Sequence, residues 1–423
     1  MNQKHDPIVV TGMGAVSPLG VGIETNWTRL IAGRSGIVAN TRFDTSAYAA
    51  RVAGLVPSRA EDARGFDPLT VVDAKDVKKM DLFIQYGMVA AAEALAQAGW
   101  APRTEAEKAS TATIIGTGVG GSPVMAEAVK TIIERGPRRL SPFTVPAFLP
   151  NLAAGWISIH YGFKGPIGAP VTACAASAQA IGDGMRLILT GEAEVAVVGG
   201  AEGSIDPISV GGFGAARALS TAFNDNPPAA SRPFDARRDG FVLAEGAAVL
   251  VIERLSHAVA RGAAPLALLA GYGTSADAYH LTSGDPDGAG AQVAMRNALK
   301  MAGLSPADIG YINAHSTSTA VGDAAELAGI NAVFAGRGKD LAISSTKSST
   351  GHLMGAAGAL EAVFSIEALR HETLPPTLNL EEPNVGEAFD LVPKVAKHKA
   401  VRHALSNSFG FGGVNASLIV SAV

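Results

Sequence analysis

Short apolar runs of β type, each ending in Gly or a small residue, recur along the chain at residues 8–11, 113–116, 195–199, 266–270, 309–313 and 341–344. Between most of them the apolar positions fall at helical spacing, which predicts helices over residues 82–98, 177–189, 291–302, 323–334 and 356–369. This alternation predicts an α/β protein with buried sheets. The two halves also close alike. Residues 241–243, a turn at 244–246 and a run at 247–252 resemble residues 404–406, a Gly-rich turn and a run at 416–420: strand, loop and strand at each end. That similarity points to an internal duplication with its seam near residues 254–265, and so to two halves, 1–256 and 257–423, packed as one unit.

Charged residues make up only 17% of the 423 positions and hydrophobic ones 48%, which excludes disorder and allows a large core or subunit interface. The formal net charge of -4 argues against nucleic acid as a partner. With 49 Gly and 6% aromatics, packing is expected to rely on close backbone approach. A single Cys excludes an internal disulfide and fits a reducing compartment. From Leu140 to Gly182 the only Lys, Arg, Asp or Glu is Lys164. Pro142, Pro146 and Pro150 interrupt any membrane-spanning helix there, so the stretch reads as core or obligate interface, and a homodimer without membrane insertion is expected. The N-terminal apolar run breaks at Gly12, too soon for a signal-peptide core, and the expected location is the cytoplasm.

The lone Cys174 stands in Val171-Thr172-Ala173-Cys174-Ala175-Ala176-Ser177, ahead of a helix. A sulfur at a helix N-terminus is expected to have a lowered pKa and to be a nucleophile near neutral pH. Taken alone it reads equally well as an inert buried thiol. His315 follows a strand run and opens Ser316-Thr317-Ser318-Thr319, with Asp323 and Glu326 at the spacing of a helix capping box. His352 precedes an almost wholly apolar helix that should be buried; desolvation, the helix dipole and Lys347 are expected to keep it neutral and donating. Singly, either His is more often structural, but two in similar strand-to-helix loops beside one Cys suggest a site. Asn407 to Asn415 carries more Gly than a turn needs and could approach a ligand or move as a gate. Gly116-Thr117-Gly118-Val119-Gly120-Gly121 matches the dinucleotide-binding pattern, but no acid follows about twenty residues later. No His, Cys or carboxylate cluster has metal-ligand spacing, so no metal is expected.

As a set these segments resemble the 3-oxoacyl-[acyl carrier protein] synthases, the condensing enzymes of fatty acid synthesis, and most of all their synthase II type. The resemblance rests on Thr172-Ala173-Cys174, Asn313 to Thr319, Lys347 with Gly351-His352-Leu353-Met354-Gly355, Asn407 to Asn415, Val210 to Ser220, and Ser231-Arg232-Pro233-Phe234-Asp235, in family order over nearly the whole chain. It implies a thiolase fold, two related βαβαβαββ halves in five αβαβα layers, working as a homodimer. It implies that Cys174 takes the acyl chain from a carrier-protein phosphopantetheine, with the N–H groups of Cys174 and Phe411 holding the oxyanion. His315 and His352 then stabilise the charge left when malonyl thioester loses CO2. By the same resemblance Lys347 and Glu361 form a supporting pair, Thr317 and Thr319 contact pantetheine, and Phe411 gates a pocket that Val119, Phe213 and Phe409 help to form. Lys75, Lys78, Lys79, Arg138, Arg139 and Arg217 match the family's docking patch for the acidic acyl carrier protein. No resident cofactor is implied beyond an optional structural monovalent cation. Ser316, Val414 and Ala320 depart from the usual Gly, Thr and Pro. A thiolase would need a second Cys, and a chain-length factor would lack the first; polyketide or synthase I chemistry and, in a different class, an NAD-dependent oxidoreductase are the alternatives.

Overall fold

The computed structural model describes residues 6–423. The first half runs β1 (Ile8–Ser17), α1 (Leu82–Ala98), β2 (Thr111–Gly116), α2 (Leu152–Tyr161), β3 (Ile167–Gly168), α3 (Ala176–Thr190), β4 (Val195–Glu202) and β5 (Gly246–Arg254). The second repeats the order: β6 (Ala267–Ala276), α4 (Ala289–Ala302), β7 (Tyr311–Asn313), α5 (Ala320–Val333), β8 (Ala342–Ser344), α6 (Ala357–Arg370), β9 (His403–Gly410) and β10 (Val414–Ser421). Each is a βαβαβαββ unit. Across the sheet the strands lie in the order β8-β7-β9-β10-β6-β1-β5-β4-β2-β3, a palindrome in which every strand of one half has its counterpart in the other. The halves meet where β1 and β6 pair antiparallel through Val9↔Leu268 and Val10↔Ala267.

The helices complete five layers. α3 and α6 pack on each other and on strands of both halves, α1 and α2 cover the outer face of the first half, and α4 covers that of the second with α5 packed against it. A helix caught between two sheets must be apolar all round, and α6 buries every residue from Ala357 to Leu369. α1 covers the positions its periodicity predicts, started by the Asp81 carboxylate, which accepts from the Phe83 N–H, and stopped by Gly99 in the left-handed region. It lies so close to β1 that a Cβ on Gly12 or Gly14 would come within 2.0 Å of the carbonyls of Ala94 or Ala90.

One expectation fails. Residues 241–243 are not the first strand of a closing pair; they make only isolated bridges, Phe241 to Leu219 and Leu243 to His352. The counterpart of β9 is β4, which pairs antiparallel with β5 across a long excursion, whereas β9 and β10 are joined by a tight turn. The local apolar run misled because that excursion returns through the core. The weakly charged stretch divides between the two places open to it, core and surface available to an interface. α2 buries Ala153, Ala154 and Ile157 but leaves Ile159 72% exposed, and Val145 is 53% exposed. Among the described residues no helix is long and apolar enough to cross a membrane.

Candidate active site

Three strand ends and two helix starts converge on a cavity of about 560 Å³. Cys174 comes from the 3-10 turn Ala173–Ala175 that feeds α3, His315 from the loop after β7, and His352 from the segment just before α6. Their ligating atoms all lie within 4.8 Å of one another. Val119, Phe213, Arg217, Thr317, Thr319, Phe409 and Phe411 line the same cavity. Ring contacts run from Phe411 through Phe213 and Phe241 to His352, and on through His315 to Phe409, with centroids 5.3–6.2 Å apart.

Lys347 and Glu361 sit behind the cavity, 1% and 3% exposed, with Nζ on the Glu361 carboxylate. Glu361 thus faces Lys347, the pairing that the resemblance implies, and does not line the cavity. Burial first, and then the Lys347 charge, holds both imidazoles well below the usual histidine value; His315 is lowered further by His352. Both are therefore neutral. Among the described residues His352 Nδ1 and Nε2 and His315 Nδ1 have no hydrogen-bond partner, a costly state in a packed interior that a ligand oxygen relieves.

The sulfur differs from expectation. Burial pushes the Cys174 thiol up to about 12; Lys347 opposes that, while Glu202 and Glu361 add to it. Desolvation outweighs the helix terminus because α3 begins two residues after the sulfur, at Ala176. Cys174 thus rests as a thiol. Gly410, at the end of β9, backs onto this turn, where a Cβ would lie 2.9 Å from the Thr172 carbonyl and 3.2 Å from the Cys174 nitrogen. The segment that carries Phe411 thus packs directly against the turn that carries Cys174.

Asp323 and Glu326 do not cap a helix. α5 begins at Ala320, and both carboxylates reach back from inside it. Asp323 accepts from the N–H groups of Phe234 (2.9 Å) and Ser318 (3.1 Å). Glu326 accepts from the N–H groups of His315 (2.9 Å) and Ser316 (2.6 Å), the Ser316 hydroxyl (2.7 Å) and Asn407 Nδ2 (3.0 Å). Ser316 thus adds a hydrogen bond to Glu326 and is itself only 1% exposed.

Sequence reasoning missed a wall. Asp277 and residues 282–285 line the cavity, tied to the Gly-rich loop by Gly412 N–H to the Leu281 carbonyl (2.8 Å), Asp277 N–H to the Gly413 carbonyl (2.9 Å) and Asn415 Nδ2 to Asp277 Oδ1 (2.6 Å). The signal was there: a Gly- and Asp-rich run between a strand and a helix is where α/β proteins place ligand loops. Cys174, His315 and His352 are also close enough to hold a metal ion, which their sequence spacing did not reveal. The charge of Lys347, felt by all three, disfavours a cation there. The basic residues fall into two places. Lys75, Lys78, Arg138 and Arg139 are exposed, and Lys79 lies over the Phe143 ring at 4.9 Å, whereas Arg217 is at the cavity.

Residues 5–258 match the beta-ketoacyl synthase N-terminal domain and residues 266–381 its C-terminal domain. The chain belongs to the beta-ketoacyl synthase family. A 3-oxoacyl-[acyl-carrier-protein] synthase 2 of Rhizobium meliloti (strain 1021) is 49% identical over 413 residues, 98% of each chain. Among solved structures, a beta-ketoacyl synthase from Burkholderia phymatum STM815 superposes with TM-score 0.90 at 34% identity, over 99% of this chain and 100% of that one. AntDE:AntF, a type II polyketide ketosynthase with its acyl-carrier protein, gives 0.89 at 30% identity over 99% and 100%. The fold is that of the thiolase-type ketosynthases, and the activity is acyl transfer coupled to carbon–carbon bond formation, a Claisen condensation. The dinucleotide-like loop has another use: its Gly118 N–H donates to the Glu202 carboxylate at 2.7 Å.

Proposed function

We propose that this ketosynthase elongates a fatty acyl chain on acyl carrier protein by two carbons, with Cys174 carrying the acyl group and His315 and His352 assisting loss of CO2 from malonyl thioester. The observation that carries the reading is one thiol and two neutral imidazoles, with unpartnered nitrogens, within 4.8 Å of each other in one cavity.

In the first step the Cys174 sulfur attacks the acyl thioester, the carbon–sulfur bond to pantetheine breaks, and the thiol proton ends on the departing pantetheine sulfur. The exchange is balanced, so a resting thiol is no obstacle. The N–H groups of Cys174 and Phe411 face the tetrahedral oxyanion. In the second step the malonyl carbon–carboxylate bond breaks and the electron pair collects on the thioester oxygen, where two neutral donors stabilise it only as charge appears. The enolate carbon then attacks acyl-Cys174, and the expelled thiolate takes up a proton. Burial, aided by the charge of Lys347 that Glu361 holds in place, keeps both imidazoles uncharged for this role.

Thr317 and Thr319, with hydroxyls 3.2 Å apart in the cavity wall, are assigned to pantetheine. Phe411, 39% exposed beside Gly412 at φ 85°, is assigned to the gate. Lys75, Lys78, Lys79, Arg138, Arg139 and Arg217 are assigned to carrier-protein docking, although Lys75 and Lys79 already face Asp73 and Asp76. A homodimer is supported by helix Ser122–Arg135, which buries only Ser122 and exposes Met125, Val129, Ile132 and Ile133, and by the exposed sheet edge at Ile167. The two units of the fold are taken as residues 1–256 and 257–423, and the location as the cytoplasm. A structural monovalent cation would find buried acceptors without partners among the described residues at Asn313 Oδ1, Glu361 Oε2 and Ser406 Oγ, and would satisfy those oxygens.

Intact-mass analysis after incubation with acyl-carrier-protein thioesters tests the assignment. Wild type gains one acyl mass, and Cys174→Ala gains none; an adduct on the mutant would move the nucleophile elsewhere.

A further inference from the structure

One buried titratable group beside the nucleophile has no part in the steps above. Glu202 ends β4, is 0% exposed and has every acceptor position filled. Its Oε2 accepts from the N–H groups of Gly118 (2.7 Å) and Gly355 (3.1 Å), and its Oε1 from the hydroxyls of Ser204 (2.8 Å) and Thr117 (3.2 Å). Thr117 Oγ1 in turn accepts from the Gly120 N–H (3.1 Å). One carboxylate thus gathers the loop that looks like a dinucleotide motif and the turn that follows His352. Backbone N–H groups in Gly-rich loops cradle anions, and here the anion is supplied by the protein. The loop carries Val119 and the turn carries Met354, both of which line the cavity next to Cys174.

We propose that Glu202 is a positioning residue: it is the internal anion that fixes the Thr117–Gly120 loop against the Met354–Ala356 turn, so setting the cavity wall that meets the acyl chain, and it keeps a negative charge beside the Ala173–Ala175 turn, where a Cβ on Gly118 would lie 2.8 Å from Glu202 Oε2 and 3.7 Å from the Ala173 carbonyl. The substrate side of this proposal rests on the condensation reading. Charged or titratable groups felt by the sulfur are Lys347, Glu202 and Glu361, with His315 and His352 beside it. Lys347 has Glu361 as its counter-charge. Burial raises the Glu202 carboxyl above its usual value, the hydrogen bonds from Ser204, Gly118, Gly355 and Thr117 favour its ionised form, and with Glu361 it disfavours a free thiolate until a thioester arrives.

Because the chain has one Cys, iodoacetamide alkylation reports on Cys174 alone. Glu202→Gln keeps the shape and removes the charge, so the alkylation rate at pH 8 rises roughly tenfold. Glu202→Asp keeps the charge, and its rate stays within about twofold of wild type. Thr117→Val keeps the charge but cuts the hydroxyl link to Gly120. It leaves alkylation unchanged and broadens the distribution of acyl lengths loaded onto Cys174 toward longer chains.

An unchanged alkylation rate in Glu202→Gln overturns the electrostatic role, as does equal acceleration in Thr117→Val, which would trace the effect to access. Should Glu202→Gln fail to fold, an unaltered length distribution in Thr117→Val overturns the wall. Wild type that accepts no acyl group at all would instead sink the condensation reading, so the two failures are distinguishable.

Discussion

The two central helices enter the site by the same backbone device with opposite chemical results. α3 is preceded by the 3-10 turn Ala173–Ala175, whose first residue has φ 48°, and α6 by Met354–Ala356, whose first residue has φ 47°. Neither first residue is Gly, so each turn carries a left-handed residue that costs about 1 kcal/mol or more. The second position then diverges. In the first half it is Cys174, whose side chain reaches the cavity; in the second it is Gly355, where a Cβ would lie 2.1 Å from the Gly118 nitrogen. Duplication supplied two equivalent places for a side chain. One became the nucleophile, and the other had to stay empty because it seals the back of the first against the loop that Glu202 holds.

The sharpest way to break this comparison is Gly355→Ala. The clash is with backbone, not with a flexible side-chain tip, and the expected loss of stability is about 3 kcal/mol, at the upper end for overpacking. Chemical denaturation measures it; an unchanged midpoint would show the turn free to move and the contrast with Cys174 unfounded.

A second effect separates the halves by charge. His315 and His352 stay neutral when folded, while in the unfolded chain they take up protons near 6.5. Below that pH the unfolded state binds more protons, so stability falls as pH drops from 6.5 toward the depressed folded values. The slope is roughly 1.4 kcal/mol per pH unit for each imidazole. The Cys174 thiol does not titrate in this window, but burial raises the Asp81, Asp323 and Glu361 carboxyls to about 7, and these gain stability as pH falls, so the imidazole contribution is read as the difference between wild type and a variant without them. Replacing both His by Asn should leave a variant whose stability relative to wild type rises as pH falls below 6.5, and parallel curves would assign the effect to other groups.

The smallest effect belongs to the wall of the first half. Val119→Ile adds one methylene to the cavity lining, and kinetics over a chain-length series should show the cutoff moving to shorter acyl groups by a modest factor of about ten or so in specificity. An unmoved cutoff would take Val119 out of the acyl path.

Most of the layering was legible in the chain because strands buried on both faces read as continuous apolar runs, and a helix between sheets reads as apolar all round; β2, β4, α1 and α6 are found within a few residues of where their patterns end. The convergence of Cys174, His315 and His352 was legible from motif order, not from spacing. What stayed hidden depends on contacts distant in sequence. Glu202 meets Gly118 and Gly355 across 84 and 153 residues, and no local pattern announces that. Asp323 and Glu326 look like a cap until the helix is seen to start at Ala320. The thiol's proton affinity was misjudged for the same reason: a helix start is written in the sequence, but burial is a property of the assembled core.

The seam between β1 and β6 has a consequence for synthesis. The sulfur belongs to the half that leaves the ribosome first, and the imidazoles, the Lys347–Glu361 pair and the closing strands β9 and β10 arrive last. A nascent chain therefore carries a thiol with no decarboxylating machinery, and reactivity switches on only when the final hairpin docks. Truncation before that hairpin is expected to leave an inert polypeptide, since it removes the two strands that join β7 to β6 in the sheet.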